Sequence, residues 1–259
     1  MRIARFVMGE DVGYGIVEGD GSADGPLEIA VIRSHPFAEV ELTGARIPID
    51  RVRLLAPVLP SKVLAFARTY ADHAAELGNE VAKEPLMFLK PSTSVIGPGD
   101  PIRLPALSSE VHYEAELAIV IGALCKDVAV ERAHEVILGY TCANDVTARD
   151  LQRSDGQWSR AKGFDTFCPL GPWIETDLDP REVRITCELD GALVQDGHTS
   201  ELVFSVGELV AFASSAMTLL PGDVILTGTP AGVGPMVDGS VVRVGIEGIG
   251  QLTNPVRGL

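Results

Sequence analysis

The chain has 259 residues, 46% hydrophobic and 22% charged, which permits one sizeable core, or a large domain with a small appendage. A formal net charge of −15 sets the surface against phosphate backbones and excludes nucleic acid as an expected partner. It does not exclude a small anionic substrate, because a bound ion and a few local cations dominate the field inside a pocket.

The first residues, MRIARFVMGEDVGYG, lack the long apolar core of a secretory signal. Nowhere do about 18 apolar residues run together, so no membrane span is expected. Residues 1 to about 58 read as short strands, RIARFVM, GYGIVEG, LEIAVIR and VRLLAPV, separated by clusters such as Gly19-Asp20-Gly21. They suit a small β-rich N-terminal module over 1–58. Pro57 and Pro60 bracket a linker into a main domain over 59–259.

VLAFA then reads as a buried strand, and TYADHAAELG as a helix capped by Thr69 or Asp72 and closed at Gly78. The polar stretch GNEVAKE has little to bury, so a mobile lid is expected from Thr69 to Glu84. PLMFLKP and VHYEAELAIVIG read as strands, and ERAHEVILGYTCAND as a helix passing into a strand. An Asp190-Gly191 turn marks a hairpin within 181–195. FSVGELVAFASSAMTL is the clearest helix, with Val206, Leu209, Val210, Ala213 and Met217 as its apolar positions. The C-terminal stretches, VILTGTPAGVG and SVVRVGIEGIGQLTNPV, return to strands. The architecture expected is mixed α+β dominated by strands. Cys125, Cys142, Cys168 and Cys187 form no CxxC pair and no zinc spacing, and suit reduced thiols in a cytoplasmic protein.

Three acidic residues carry the chemistry. On a strand, Glu114 and Glu116 point the same way, with Cα atoms roughly 7 Å apart. Two carboxylates on one face of an apolar strand repel and resist desolvation unless a cation joins them. A solvated strand face is the ordinary alternative, which the run LAIVIG that follows disfavours. Asp145 ends the apolar run VILGYTCAN and precedes VTARDLQ, where it suits either a third ligand or a helix cap. Three carboxylates without His or Cys suit a hard cation, Mg2+ first, with Mn2+ or Ca2+ as alternatives. The glycine-rich GTPAGVG fits neither phosphate-loop pattern.

Seven stretches in order give the chain its resemblance: ARTYADHAAE, FLKPSTSVIGPGDPI, VHYEAELAIVIG, GYTCANDVTARDLQ, QWSRAKGFDTFCPLGPW, TLLPGDVILTGTPAGVG and IEGIGQLTNPV. From about Lys62 to Val256 the chain resembles the fumarylacetoacetate hydrolase family. The resemblance implies a β-roll catalytic domain, frequently dimeric, so a homodimer is expected. It also implies a metal site of two Glu in the form ExE plus an Asp before TARD, which here are Glu114, Glu116 and Asp145.

His73 and Glu76 stand i, i+3, so on a helix they share a face, and a carboxylate beside His raises its basicity. A surface ion pair is the plainer reading of these two residues alone. The resemblance makes them the pair that activates water over the substrate. It also makes Lys162 an active-site lysine aimed at a substrate oxyanion, rather than a snorkelling surface lysine. Gln152 and Thr229 match positions that hydrogen-bond substrate oxygens, and Arg68 and Tyr70 match substrate-binding positions. Thr69 replaces the commoner Asn of an Arg-Asn-Tyr sequence and has one donor rather than two. That departure bears on substrate choice or lid geometry. Arg149 and Asp150 suit a structural ion pair and are given no catalytic role.

The activity implied is metal-dependent chemistry on a small 2-oxo or 2-hydroxydiene acid through an enolate. A 2-hydroxyhepta-2,4-diene-1,7-dioate isomerase or decarboxylase type, or an acylpyruvate hydrolase, is expected. Oxaloacetate decarboxylation, or a metal-binding regulatory protein without catalysis, are the alternatives.

Overall fold

The computed structural model describes residues 1–258 other than 23, 24, 77, 79, 81 and 82. The first half contains β1 (Arg2–Met8), β2 (Asp11–Glu18), β3 (Glu28–Ile32), β4 (Leu42–Pro48), β5 (Arg53–Leu55), β6 (Val63–Ala67), α1 (Ala71–Glu76), β7 (Leu86–Lys90), β8 (Val95–Ile96), β9 (Ile102–Leu104), β10 (Val111–Tyr113) and β11 (Ala115–Ile121). The second half contains β12 (Ile137–Asn144), β13 (Thr147–Ala148), α2 (Arg149–Ser154), α3 (Ser159–Gly163), β14 (Cys168–Glu175), β15 (Arg184–Leu189), β16 (Ala192–His198), α4 (Val206–Ala216), β17 (Val224–Leu226), β18 (Gly234–Pro235), β19 (Val241–Ile246) and β20 (Gly250–Gly258).

The largest sheet runs β4-β3-β2-β1-β14-β12-β11-β17-β6-β7, with β5 joined to β1 and β8 to β14. A second sheet runs β16-β15-β19-β20-β9, and a third β13-β10-β18. The strand-dominated expectation is met. The strands of the N-terminal segment continue the large sheet, because β1 pairs with β14 at Arg2 and Ile3.

Sequence explains most of these elements. All seven residues of β11 are buried, so the strand reads as an unbroken apolar run rather than an alternation. Its period of two sends Leu117, Ile119 and Ile121 into one core cluster and Ala118 and Val120 into the other. The β15–β16 hairpin turns at Asp190 and Gly191, both in the left-handed region at φ 53° and 83°, as a type I′ turn demands. A Ser205–Glu208 capping box starts α4. Leu209, Val210 and Ala213 are buried on its inner face. The four cysteines are buried and unpaired.

Four expectations change. VHYEAELAIVIG is not one strand: it breaks at Glu114, and β10 leaves for the three-stranded sheet. The Glu114 amide donates to Asn144 Oδ1 and its carbonyl accepts from the Asp145 amide, so its backbone bonds are met without continuing the ladder. VRLLAPV contributes only Arg53–Leu55, and β4 was not foreseen. Thr69 lies one residue outside the cap position, because α1 starts at Ala71, and its hydroxyl donates to the Thr227 carbonyl at 2.7 Å. Of the lid expected over 69–84, residues 77, 79, 81 and 82 lie outside the described residues.

Candidate active site

The site gathers where the ends of four neighbouring strands of the large sheet meet. Strand β11 runs antiparallel to β12 and β17, and β17 runs parallel to β6. The start of β11 therefore lies with the ends of the other three. That register brings together Glu114 and Glu116, Asp145 after β12, Thr229 after β17, and Arg68 with α1 after β6.

One carboxylate oxygen from each of Glu114, Glu116 and Asp145 lies within 4.8 Å of the others, and all three residues are buried. An all-oxygen set of this size and charge fits a hard divalent cation. The electrostatics point the same way. Burial, together with the charges of Asp145 and Glu114, pushes the Glu116 carboxyl well above its ordinary range. Burial works to raise Glu114 as well, but Lys162 and Arg149 hold it well below that range. Glu116 has the amide of Gly228 as a donor, at 2.6 Å, and no side-chain cation among the described residues.

Cations stand behind the other two acids. Lys162 Nζ lies 2.8 Å from Glu114 Oε2 and 2.6 Å from Asp145 Oδ2. Arg149 Nη2 lies 2.5 Å from Glu114 Oε1, and its Nη1 lies 2.6 Å from Gln152 Oε1. Lys90 Nζ lies 2.6 Å from Asp145 Oδ1. Three acids and three bases balance, so a divalent ion here would leave an excess of two positive charges, a field suited to an anionic chelating substrate.

A cavity of about 540 Å³ opens onto this cluster, a size suited to a small ligand. Arg68, His73, Glu76, Gln152, Lys162 and Thr229 line it beside the three acids. His73 Nδ1 lies 3.3 Å from Glu76 Oε2, and the Glu76 carboxylate accepts from the amide of Gly232. Gln152 Oε1 accepts from Arg149, and its amide nitrogen makes no hydrogen bond to a described residue. Arg68 adopts a left-handed φ of 58°, and its buried Nε has no described partner.

Two residues expected to bind substrate are placed differently from the others. Thr229 donates its hydroxyl proton to the Ala115 carbonyl and accepts from Gln195 Nε2, both at 2.8 Å. That hydroxyl has no proton to spare for a substrate oxygen. Tyr70 is absent from the cavity wall and only 2% exposed. Burial, with Glu116 nearby, pushes its phenol far above its usual value, so the hydroxyl stays protonated. Thr69 is also withdrawn from the cavity. It packs on Gly228, where an added Cβ would sit 1.8 Å from the threonine oxygen.

Residues 62–257 match the fumarylacetoacetate (FAA) hydrolase C-terminal family, and residues 1–57 match the Rv2993c-like N-terminal family. The chain belongs to the fumarylacetoacetate hydrolase family. It is 52% identical over 259 residues to protein Rv2993c of Mycobacterium tuberculosis, covering 99% of this chain and 98% of that one. It also resembles the crystal structure of 5-carboxymethyl-2-hydroxymuconate delta-isomerase from Mycobacterium smegmatis, at 53% identity and a TM-score of 0.93, covering both chains fully. The structure of 2-hydroxyhepta-2,4-diene-1,7-dioate isomerase from Mycobacterium marinum has 50% identity and a TM-score of 0.93, over 100% of this chain and 98% of that one.

Within this fumarylacetoacetate hydrolase family site, sequence reasoning missed Lys90, Arg149, Gln195 and Gly228. Lys90 left a signal, as the one charged residue in the strand LMFLK. Arg149 does not pair with Asp150, the partner its sequence neighbourhood suggests. Instead it bonds Glu114 and Gln152, while Asp150 accepts from Ser108, Ser109 and Leu151. Gln195 left no local signal: its side-chain amide accepts from Ala115 N and donates to Thr229 and Pro230, across long sequence separations.

Proposed function

We propose that this fumarylacetoacetate hydrolase family member is a divalent-metal-dependent isomerase. It would convert a 2-hydroxydiene acid to its 2-oxo isomer, with Mg2+ as the expected ion. The observation that carries this reading is the convergence of Glu114, Glu116 and Asp145 with the His73–Glu76 pair on one cavity. The two isomerases similar over the full chain support the reaction type.

Glu114, Glu116 and Asp145 would hold the ion, which when bound supplies a Lewis acid to the carboxylate and 2-oxygen of the substrate. The protein's own groups do the rest. Lys162 and the amide nitrogen of Gln152 are placed to donate to oxygen atoms on which negative charge develops. Arg68, which lines the same cavity as the acids, offers a guanidinium to a carboxylate of the ligand. Glu76 fixes the tautomer of His73 by accepting from Nδ1–H, which leaves the lone pair of Nε2 free to take up and return a proton. The shift balances within the substrate: a proton leaves the 2-hydroxyl and one is added at a carbon of the diene.

A second reading is hydrolysis of an acylpyruvate. The 3.3 Å contact of His73 with Glu76 favours it, because a carboxylate-supported imidazole suits the activation of water as well as proton carriage. A Mg2+-supplemented screen of hydroxydienedioates, acylpyruvates and oxaloacetate, with products identified, separates the readings. Isomerisation of the hydroxydienedioate supports the proposal, and cleavage of an acylpyruvate supports the second. Decarboxylation alone, or no turnover of any 2-oxo acid, overturns both.

A further inference from the structure

We infer that Lys90 is a positioning residue for the divalent-ion site, holding the Asp145 carboxylate and tying it to the segment that carries Lys162. The inference rests on reading Glu114, Glu116 and Asp145 as the metal ligands.

Lys90 ends β7 and is 1% exposed. A buried ammonium is costly unless every proton finds an acceptor. Here each does: Asp145 Oδ1 at 2.6 Å, the Lys162 carbonyl at 2.5 Å, and the Val146 carbonyl at 3.4 Å. Lys162 differs, because it lines the cavity while Lys90 does not. Lys90 therefore has no route to a substrate and acts through other groups.

Its three acceptors lie on two segments, the turn after β12 that holds Asp145 and Val146, and α3, which holds Lys162. The ammonium is thus a strut between an acid and the base that faces it. It also distinguishes the two oxygens of Asp145. Oδ1 faces Lys90, whereas Oδ2 faces Lys162 at the cavity. A ligand carboxylate held this way presents one oxygen in a fixed direction, which is how groups behind a metal ligand tune affinity.

A plain counter-charge is the competing role, and the two differ in sign. An extra positive charge repels an incoming dication, so removing a mere counter-charge strengthens binding. Removing a strut weakens it. Isothermal titration of the full-length, metal-free protein with Mn2+ decides between them. Lys90→Met should raise the Mn2+ dissociation constant about 10- to 100-fold, the usual cost of losing a partner behind a ligand.

Lys90→Arg keeps the charge but cannot reproduce a point donor shared among three acceptors. It should also weaken Mn2+ binding and alter the electron paramagnetic resonance spectrum of the bound ion, a signature that loss of stability alone does not move. It serves as the test if Lys90→Met does not fold. Unchanged affinity and spectrum in Lys90→Arg, or tighter binding in Lys90→Met, overturns the inference while leaving the metal site intact. A wild-type protein that binds no Mn2+ overturns the reading of the site, and this inference with it.

Discussion

The backbone amide of Gly232 lies 3.1 Å and 3.2 Å from the two carboxylate oxygens of Glu76, whose Oε2 also faces His73 Nδ1. This contact joins α1 to the turn that follows β17. Gly232 has φ 101°, and an added Cβ would lie 2.2 Å from the Val194 carbonyl, so glycine is required there. The short helix α1 is therefore tied at its last residue to this turn by a backbone donor. Amide hydrogen exchange across Ala71–Glu76 should slow when oxalate and Mg2+ bind together, as expected of a segment that closes on ligand. Equal exchange with and without ligand would count against closure.

His73→Ala should lower acylpyruvate hydrolysis by about 10² to 10⁴-fold, the usual range for losing a general base. It should slow isomerisation in parallel with exchange of the substrate C3 proton in heavy water. Decarboxylation of oxaloacetate should be far less affected, because the three acids are untouched. Equal damage to all three reactions would assign His73 and Glu76 to substrate binding or closure instead.

Glu116 sits buried between Asp145 and Glu114 and has no side-chain cation of its own among the described residues. Glu116→Gln keeps an acceptor for the Gly228 amide but removes the repulsion. It should abolish metal-dependent turnover while making the metal-free protein more stable. A gain of about 1 kcal/mol corresponds to a rise of about 2–4 °C in melting temperature for a chain of this size. A drop in melting temperature would show that the three acids do not strain one another.

Asp150 shapes the acid limb of stability. Burial works to raise its carboxyl, but the Ser108 hydroxyl and the amides of Ser109 and Leu151 bring it down to about 2. Because the folded value lies below the unfolded one of about 3.9, this stabilisation is present above about pH 4 and is lost as pH falls towards about 2. The group is partly exposed, so solvent screening reduces its contribution to about 1 kcal/mol. Asp150→Ala should lower stability at neutral pH by that amount and flatten the loss between about pH 4 and pH 2. An unchanged acid limb would show that these bonds do not survive in solution.

The acids were legible because their signals are local. Glu114 and Glu116 share a face by strand alternation, and Asp145 closes an apolar run. The break at Glu114 was not legible, since it depends on Asn144, thirty residues away, supplying a side-chain acceptor. Strand β4 escaped notice because none of its residues is buried, so no apolar face marks it. It is held by backbone pairing with β3. Lys90 and Arg149 were passed over because a lone base reads as solvated until its acid is placed beside it by the fold. The residues named from family resemblance fared unevenly. His73, Glu76, Lys162, Gln152 and Arg68 line the cavity, whereas Tyr70 lies outside the wall and the Thr229 proton is already committed.

Glu114, Glu116 and Asp145 are proposed to hold one divalent ion in the cavity that the His73–Glu76 pair lines. Anomalous diffraction from a crystal grown with Mn2+ and oxalate tests it most directly. One strong peak is expected roughly 2.0–2.6 Å from a carboxylate oxygen of each of Glu114, Glu116 and Asp145, with oxalate completing the coordination within the cavity. A peak at other residues, or none at these three while oxalate is bound, would contradict it.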